Sequence, residues 1–193
     1  MPPPDTLGLV LAGGLARRMG GEDKARIRVG GATILDRVIA RLRPQCSRLI
    51  LSVNTDFARF ADTGLTVVAD SVPDHAGPLA GILAGLDWAA DHAPQIAWVV
   101  SAPSDCPFLP RDLVARRAGE WRHPVVALWP VALREDLRRA LTAEGLRKVD
   151  QLTARYRLGI AEWPAAPVDP FFNVNTPAEA AEADRMAALH PEI

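Results

Sequence analysis

Short apolar runs, each too brief for a helix, alternate along this chain with amphipathic stretches of three or more turns. Leu7 to Leu11, Arg48 to Val53, Leu65 to Ala69, Ile96 to Ser101 and Val125 to Trp129 are the runs. Four to eight residues of this composition suit buried strands. Between them, Thr33 to Arg43 carries Ile34, Leu35, Val38, Ile39 and Leu42 at helical spacing, and Pro44 stops it. A short helix is expected over Asp56 to Ala61, and a long one opens at Gly77 and runs to about Asp91. Further helices are expected over Pro110 to Glu120, Leu133 to Leu141 and Leu146 to Leu158, the first with proline at its start. Phe171 to Asn175 reads as a last strand or turn. Thr176, Pro177 and Glu179 form a capping box for a final helix. Strand and helix in alternation predict an α/β fold, a mostly parallel sheet covered by helices on both faces.

At 193 residues, 49% of them hydrophobic, the chain suits a single domain spanning 1–193 with a sizeable core. Its formal net charge of −1 carries no footprint for nucleic acid, so any phosphate affinity must be local. Cys46 and Cys106 have no metal or redox spacing, which fits a reducing cytosol. The start, Met1-Pro2-Pro3-Pro4-Asp5, lacks the regions of a signal peptide, and no apolar run approaches the roughly 20 residues of a membrane span. A cytoplasmic protein with no membrane partner is expected.

Open α/β sheets bind ligands beyond the carboxyl ends of their strands. The first strand runs into Leu11-Ala12-Gly13-Gly14-Leu15-Ala16-Arg17-Arg18-Met19-Gly20-Gly21-Glu22-Asp23-Lys24. Glycines let a backbone approach a ligand closely, and successive N–H groups in such a turn make an anion-binding concavity. The cations add charge where phosphates would lie, so the stretch reads as a triphosphate grip. Lys24 and Lys148 are the only lysines among 22 basic residues. A compact ammonium in so arginine-rich a chain suggests a cramped phosphate contact at Lys24, against the plain alternative of a solvated surface lysine.

The other strands end in Ser52 and Asn54, in Asp70, and in Asp105 between Pro103 and Pro107. Asp105 is the metal candidate, because Mg²⁺ takes one or two carboxylates and completes its shell with phosphate oxygens and water. Asp70 either starts a turn or accepts from a ribose or base. Gly77 to Gly81 either admits a flat base or simply lets a helix pack tightly. Asn173 and Asn175 flank Val174 and point to one side, to a second substrate or a metal's water, unless they only hold a turn. Cys106 reads as a small packed residue. The histidines His75, His92, His123 and His190 show no ligand spacing.

The stretch 11–24 resembles the signature of molybdenum cofactor guanylyltransferases. Asp70-Ser71, Gly77-Pro78-Leu79-Ala80-Gly81, Asp105-x-Pro107, His123-Pro124-x-x-Ala127-Leu128 and Asn173-Val174-Asn175-Thr176-Pro177-Ala178-Glu179 match in order, over nearly the whole chain. The resemblance implies a three-layer Rossmann-like nucleotidyltransferase fold that uses GTP and Mg²⁺. The acceptor would be Mo-molybdopterin, and the products its guanine dinucleotide form and pyrophosphate. Leu11, Ala12, Gly13, Lys24 and Asp70 match the family's GTP contacts, with Gly14 in the same loop. Asp105 matches a residue that binds both GTP and Mg²⁺, and Arg18 beside Arg17 would share the charge neutralisation. Molybdenum-insertion protein and molybdoenzyme chaperones would be the protein partners.

Two features depart from the family. Ser52 stands where it has a nucleotide-binding asparagine, with Asn54 two residues later. Gly119-Glu120-Trp121 also runs directly into Arg122-His123-Pro124, where other members carry an extra strand and turn. A cytidylyltransferase or sugar-phosphate nucleotidyltransferase of the same fold, or a non-catalytic carrier of the cofactor, remains open on the residues alone. The paired Gly13-Gly14 leans by resemblance toward guanine.

Overall fold

A computed structural model of the chain describes residues 5–12, 24–54, 56–72, 77–115 and 125–193, with the backbone alone at Lys24. Among the described residues the central sheet has five strands in the order β5 (Thr66–Val68), β4 (Arg48–Ser52), β1 (Thr6–Leu11), β6 (Trp98–Pro103), β7 (Ala127–Pro130). The first four are mutually parallel, and β7 closes one edge antiparallel to β6. A separate two-stranded hairpin joins β2 (Arg28–Val29) to β3 (Ala32–Thr33).

Side-chain alternation divides the core into two layers. Leu7 and Leu9 of β1, Ile50 of β4 and Val99 of β6 face α2 (Pro78–His92), α3 (Arg134–Thr142) and α4 (Val149–Thr153). Val10, Leu51, Val100 and Ala102 face α1 (Ile34–Leu42) and α5 (Pro177–Leu189). β1 is buried along nearly its whole length, as expected of a central parallel strand. The predicted three-layer α/β arrangement is therefore the observed one.

Element boundaries differ from expectation in informative places. The helix expected over Pro110 to Glu120 is a run of turns over its described part, 110–115. The buried Gln45 carboxamide lies across it: Nε2 donates to the Pro110 carbonyl at 2.8 Å, and Val114 N donates to Oε1 at 3.0 Å. Those two backbone groups are the pair that would bond each other in an α-helix. The helix expected over Leu146 to Leu158 shrinks to α4. Val149 and Leu152 are buried, whereas Leu158 is exposed and offers no apolar contact to extend the helix. The helix expected over Asp56 to Ala61 is a 3-10 helix, Phe57–Thr63. Of the two readings of Phe171 to Asn175, strand or turn, the segment follows the second: it starts in a turn and joins no strand. Among the described residues, no helix is long and apolar enough to cross a membrane.

Candidate functional site

The chain leaves β1 on the α1 side to build β4 and β5, then crosses by α2 on the opposite face to β6. Strand order therefore reverses between β1 and β6, and ligands of open α/β sheets bind at such a point. Three strands end level there: Leu11 lies opposite Ser52 on one side and Pro103 on the other. The connections beyond them are joined by backbone hydrogen bonds, Ala12 N to the Ser52 carbonyl at 2.9 Å and Ser104 N to the Leu11 carbonyl at 3.0 Å. β5 joins the row with Val68 opposite Ser52. Asp70 and Asp105 each stand two residues past the end of their strand, and both are half-buried.

Ser52 is buried at 3% exposure, and its Oγ lies 3.5 Å from Asp70 Oδ1, at the outer limit of a hydrogen bond. The floor beneath is the first turn of α2. A Cβ on Gly81 would lie 2.7 Å from both Leu11 Cδ2 and Ser52 Oγ, so only glycine lets the helix sit this close to the strand ends. Gly77, with φ of +141°, takes a conformation that L side chains rarely adopt. It caps α2 beside the Arg147 carbonyl, which brings the segment between α3 and α4 to this edge.

On the far side, the Asp105 carbonyl accepts from Val174 N at 2.9 Å. Val174 is fully buried while Asn173 is exposed and Asn175 half-buried, so the asparagines flank the segment docked on Asp105. The capping box locks that segment to α5: Thr176 Oγ1 accepts from Glu179 N at 3.2 Å, and Glu179 Oε2 accepts from Asn175 N at 2.7 Å. Cys106 Sγ lies 3.8 Å from Asp105 Oδ1 and is buried. Burial foremost, then the Asp105 carboxylate, push its thiol well above its ordinary value, so the sulfur is a packed group and not a nucleophile.

The structure thus brings Leu11, Ala12, Ser52, Asp70, Gly77, Asp105 and the Asn173–Asn175 segment to one edge of the sheet. Asn54 is exposed past Val53 and makes no side-chain hydrogen bond among the described residues. Gly13, Gly14, Arg17, Arg18 and His123 lie outside the described residues. The Lys24 backbone opens the 3-10 helix Lys24–Arg26, anchored by Ala25 in the α1-side core. A groove of about 560 Å³ between α1 and the helix Phe57–Thr63 is lined by none of these candidates.

Sequence reasoning missed Ser104, whose contribution is a backbone N–H with no side-chain signature. It also missed the bridge from Gln45, whose partners lie more than sixty positions away. Among the described residues no group of three or more His, Cys, Asp or Glu is placed to hold a metal. Mg²⁺ takes few protein carboxylates and completes its shell with substrate phosphates and water, so Asp105, just past the end of β6, is chemically suited to such an ion.

The MobA-like NTP transferase domain family matches residues 8–118, more than half of the chain, and this span includes most of β1, all of β4, β5, α2 and β6, and both aspartates. A molybdenum cofactor guanylyltransferase of Nitrobacter hamburgensis is 58% identical over 201 residues, covering 96% of each chain. That of Rhodopseudomonas palustris strain HaA2 is 56% identical over 206 residues, 98% of this chain and 96% of the other. Both alignments are longer than the 193 residues here, so these relatives carry residues that this chain lacks. Among solved structures, the molybdopterin-guanine dinucleotide biosynthesis protein A of Archaeoglobus fulgidus superposes with a TM-score of 0.69 at 21% identity, over 95% of this chain and 99% of that one. The 2-C-methyl-D-erythritol 4-phosphate cytidylyltransferase of Thermus thermophilus does so at 0.63 and 19%, over 95% and 99%. These two share the fold, and the fold alone does not choose a base. The choice among families comes from the relatives that share more than half their residues over nearly the full length, and by them this chain belongs to the molybdenum cofactor guanylyltransferases.

Proposed function

We propose that the protein transfers GMP from GTP to the terminal phosphate of Mo-molybdopterin, giving the guanine dinucleotide form of the cofactor and pyrophosphate, with Mg²⁺ bound at Asp105. The observation that carries this reading is the level ending of β1, β4 and β6 at the strand-order reversal. There, Ala12 and Ser104 bond across to neighbouring strand ends and Asp105 follows directly. The names of the close relatives support guanine, and the paired Gly13-Gly14 agrees with it.

In the reaction, an oxygen of the acceptor phosphate forms a bond to the α-phosphorus of GTP while the bond from that phosphorus to the β-phosphate bridge oxygen breaks. The nucleophile is already anionic at neutral pH, so no general base is needed. Catalysis is positioning and charge neutralisation. Lys24, the amides of the loop at Gly13 and Gly14, and Arg18 hold the departing diphosphate. Leu11, Ala12 and Ser52 line the nucleotide's place against the floor at Gly77 and Gly81, and Asp70 accepts from ribose or base. Asn173 and Asn175 hold the acceptor. Mg²⁺, when bound, neutralises charge on the phosphate oxygens. The composition suits a cytoplasmic enzyme that delivers its product to molybdenum-insertion protein and molybdoenzyme chaperones.

The test is pyrophosphate release and dinucleotide formation by the purified protein given GTP, Mg²⁺ and Mo-molybdopterin. Lys24→Ala should lower turnover by about a hundredfold or more, the size typical of losing one transition-state contact, with its unfolding midpoint unchanged. Asp105→Asn should shift the magnesium titration to higher concentration. No pyrophosphate from the parent protein would make it a carrier, and an Asp105→Asn titration like the parent's would remove that residue as the ligand.

A further inference from the structure

The 3-10 helix Lys24–Arg26 ends in a fastening that the reaction alone does not call for. Arg26 presents its guanidinium fork to Asp62, Nη1 donating to Oδ2 at 2.7 Å and Nη2 to Oδ1 at 2.6 Å. Nη2 also donates to the Arg59 carbonyl, and Cζ lies 5.6 Å from the centre of the Phe60 ring. Phe60 is buried, as is Ala25 beside Arg26, both in the α1-side core. The guanidinium holds the Asp62 carboxyl below its ordinary value, mainly through the hydrogen bond. A planar fork on a carboxylate fixes direction as well as distance, which a point charge does not.

One side chain therefore ties the exit of the glycine-rich loop to the helix that follows β4. Thermodynamic stability is a poor account of this pair. The Asp62 side chain is 65% exposed, and exposed ion pairs add little to folding. Its geometry is the stronger account, because Lys24 lies two residues from the fork and one from the buried Ala25.

We propose that Arg26 and Asp62 form a latch that sets the position of Lys24 on the nucleotide's triphosphate, both acting as positioning residues. This rests on the reading of Lys24 as the phosphate grip. Removing the latch leaves the core anchor at Ala25 intact and unties the Lys24–Arg26 helix from Asp62.

The test is GTP binding with Mg²⁺ by calorimetry, together with the KM values for GTP and for the acceptor. Asp62→Asn should weaken GTP binding roughly three- to thirtyfold, with the acceptor KM and the unfolding midpoint close to the parent's. Arg26→Lys, which keeps charge but not the fork, should fall between the two. In a Lys24→Ala background, Asp62→Asn should add no further loss, since the latch acts through that lysine. Parent-like GTP binding by Asp62→Asn and Arg26→Lys, with Lys24→Ala impaired, would overturn the latch and leave the grip standing. An additive loss in the double variant, or loss of cooperative unfolding in both single variants, would also overturn it. Parent-like GTP binding by Lys24→Ala would remove the grip itself, and the latch with it.

Discussion

Gly81 has no room for a methyl group. A Cβ there would sit 2.7 Å from Leu11 Cδ2 and 2.7 Å from Ser52 Oγ, and Ser52 is buried, so the neighbours must shift to admit it. Alanine favours a helix interior over glycine by about 1 kcal/mol, but overpacking a tight contact costs roughly 1–3 kcal/mol. Gly81→Ala is therefore expected to destabilise by about 1 kcal/mol and to weaken GTP binding, because Leu11 and Ser52 are the side chains that must yield. Gly85→Ala is the matched control. Its Cβ would meet Leu9 Cδ2 at the same 2.7 Å, one turn further from the strand ends. Chemical denaturation and GTP calorimetry on both variants separate the effects, and equal loss of GTP affinity would show that Gly81 only packs. The Gly77 to Gly81 element invited either reading from its residues alone, as an approach for a base or as a tight helix entry. The neighbours that decide between them belong to β1 and β4, and no local pattern names them. Asp105 was more legible, since a buried strand before it and prolines on both sides fix where its backbone must lie.

The helices that sequence periodicity recovered are those whose driving force is local. α1 has a clean apolar stripe, Thr33 as its cap and Pro44 beyond its end. α5 carries its own capping box. The segment after Pro110 has an equally plausible pattern, yet Gln45 supplies from outside the bonds a helix would have made within. Its Nε2 also donates to the Arg41 carbonyl, so a single carboxamide fastens the end of α1 to the chain that follows Asp105. Gln45→Met keeps the shape and removes every one of these bonds. Leaving buried backbone groups without partners costs about 1–3 kcal/mol, so the variant should unfold at correspondingly lower denaturant. The Val114 amide, which donates to Oε1 in the parent, should exchange its hydrogen faster in the variant. Unchanged protection of that amide would mean that Pro110 and Val114 pair directly once the carboxamide is gone, and that the turn is held by its own sequence after all.

Alternation of strands and helices announced the three layers, and right-handed crossovers leave few sheet orders open to such a chain. What alternation could not announce is that β1 lies at the centre, with the connection to β4 on one face of the sheet and the crossover from β5 to β6 on the other. That placement brings residues scattered between Leu11 and Asn175 to one edge of the sheet, and the proposed nucleotide site there predicts a response of the whole molecule to its ligand. A nucleotide that bridges the strand ends binds only the folded chain, so its stabilisation is RT ln(1 + [L]/Kd), about 2.7 kcal/mol at a hundredfold excess over Kd. For a chain of this size 1 kcal/mol moves the unfolding midpoint by roughly 2–4 °C. GTP with Mg²⁺ at that excess should therefore raise the midpoint by about 5–11 °C. CTP at the same concentration should do markedly less if the base is read. Chelating the magnesium should cut the GTP shift if Asp105 holds the ion as proposed, because such an ion would depend on phosphate oxygens for its other ligands, and the phosphates on it. A GTP shift indifferent to chelation would separate nucleotide from metal and move the ion away from Asp105. Equal shifts from GTP and CTP would place base selection outside the nucleotide's own binding step, in the arrival of the pterin.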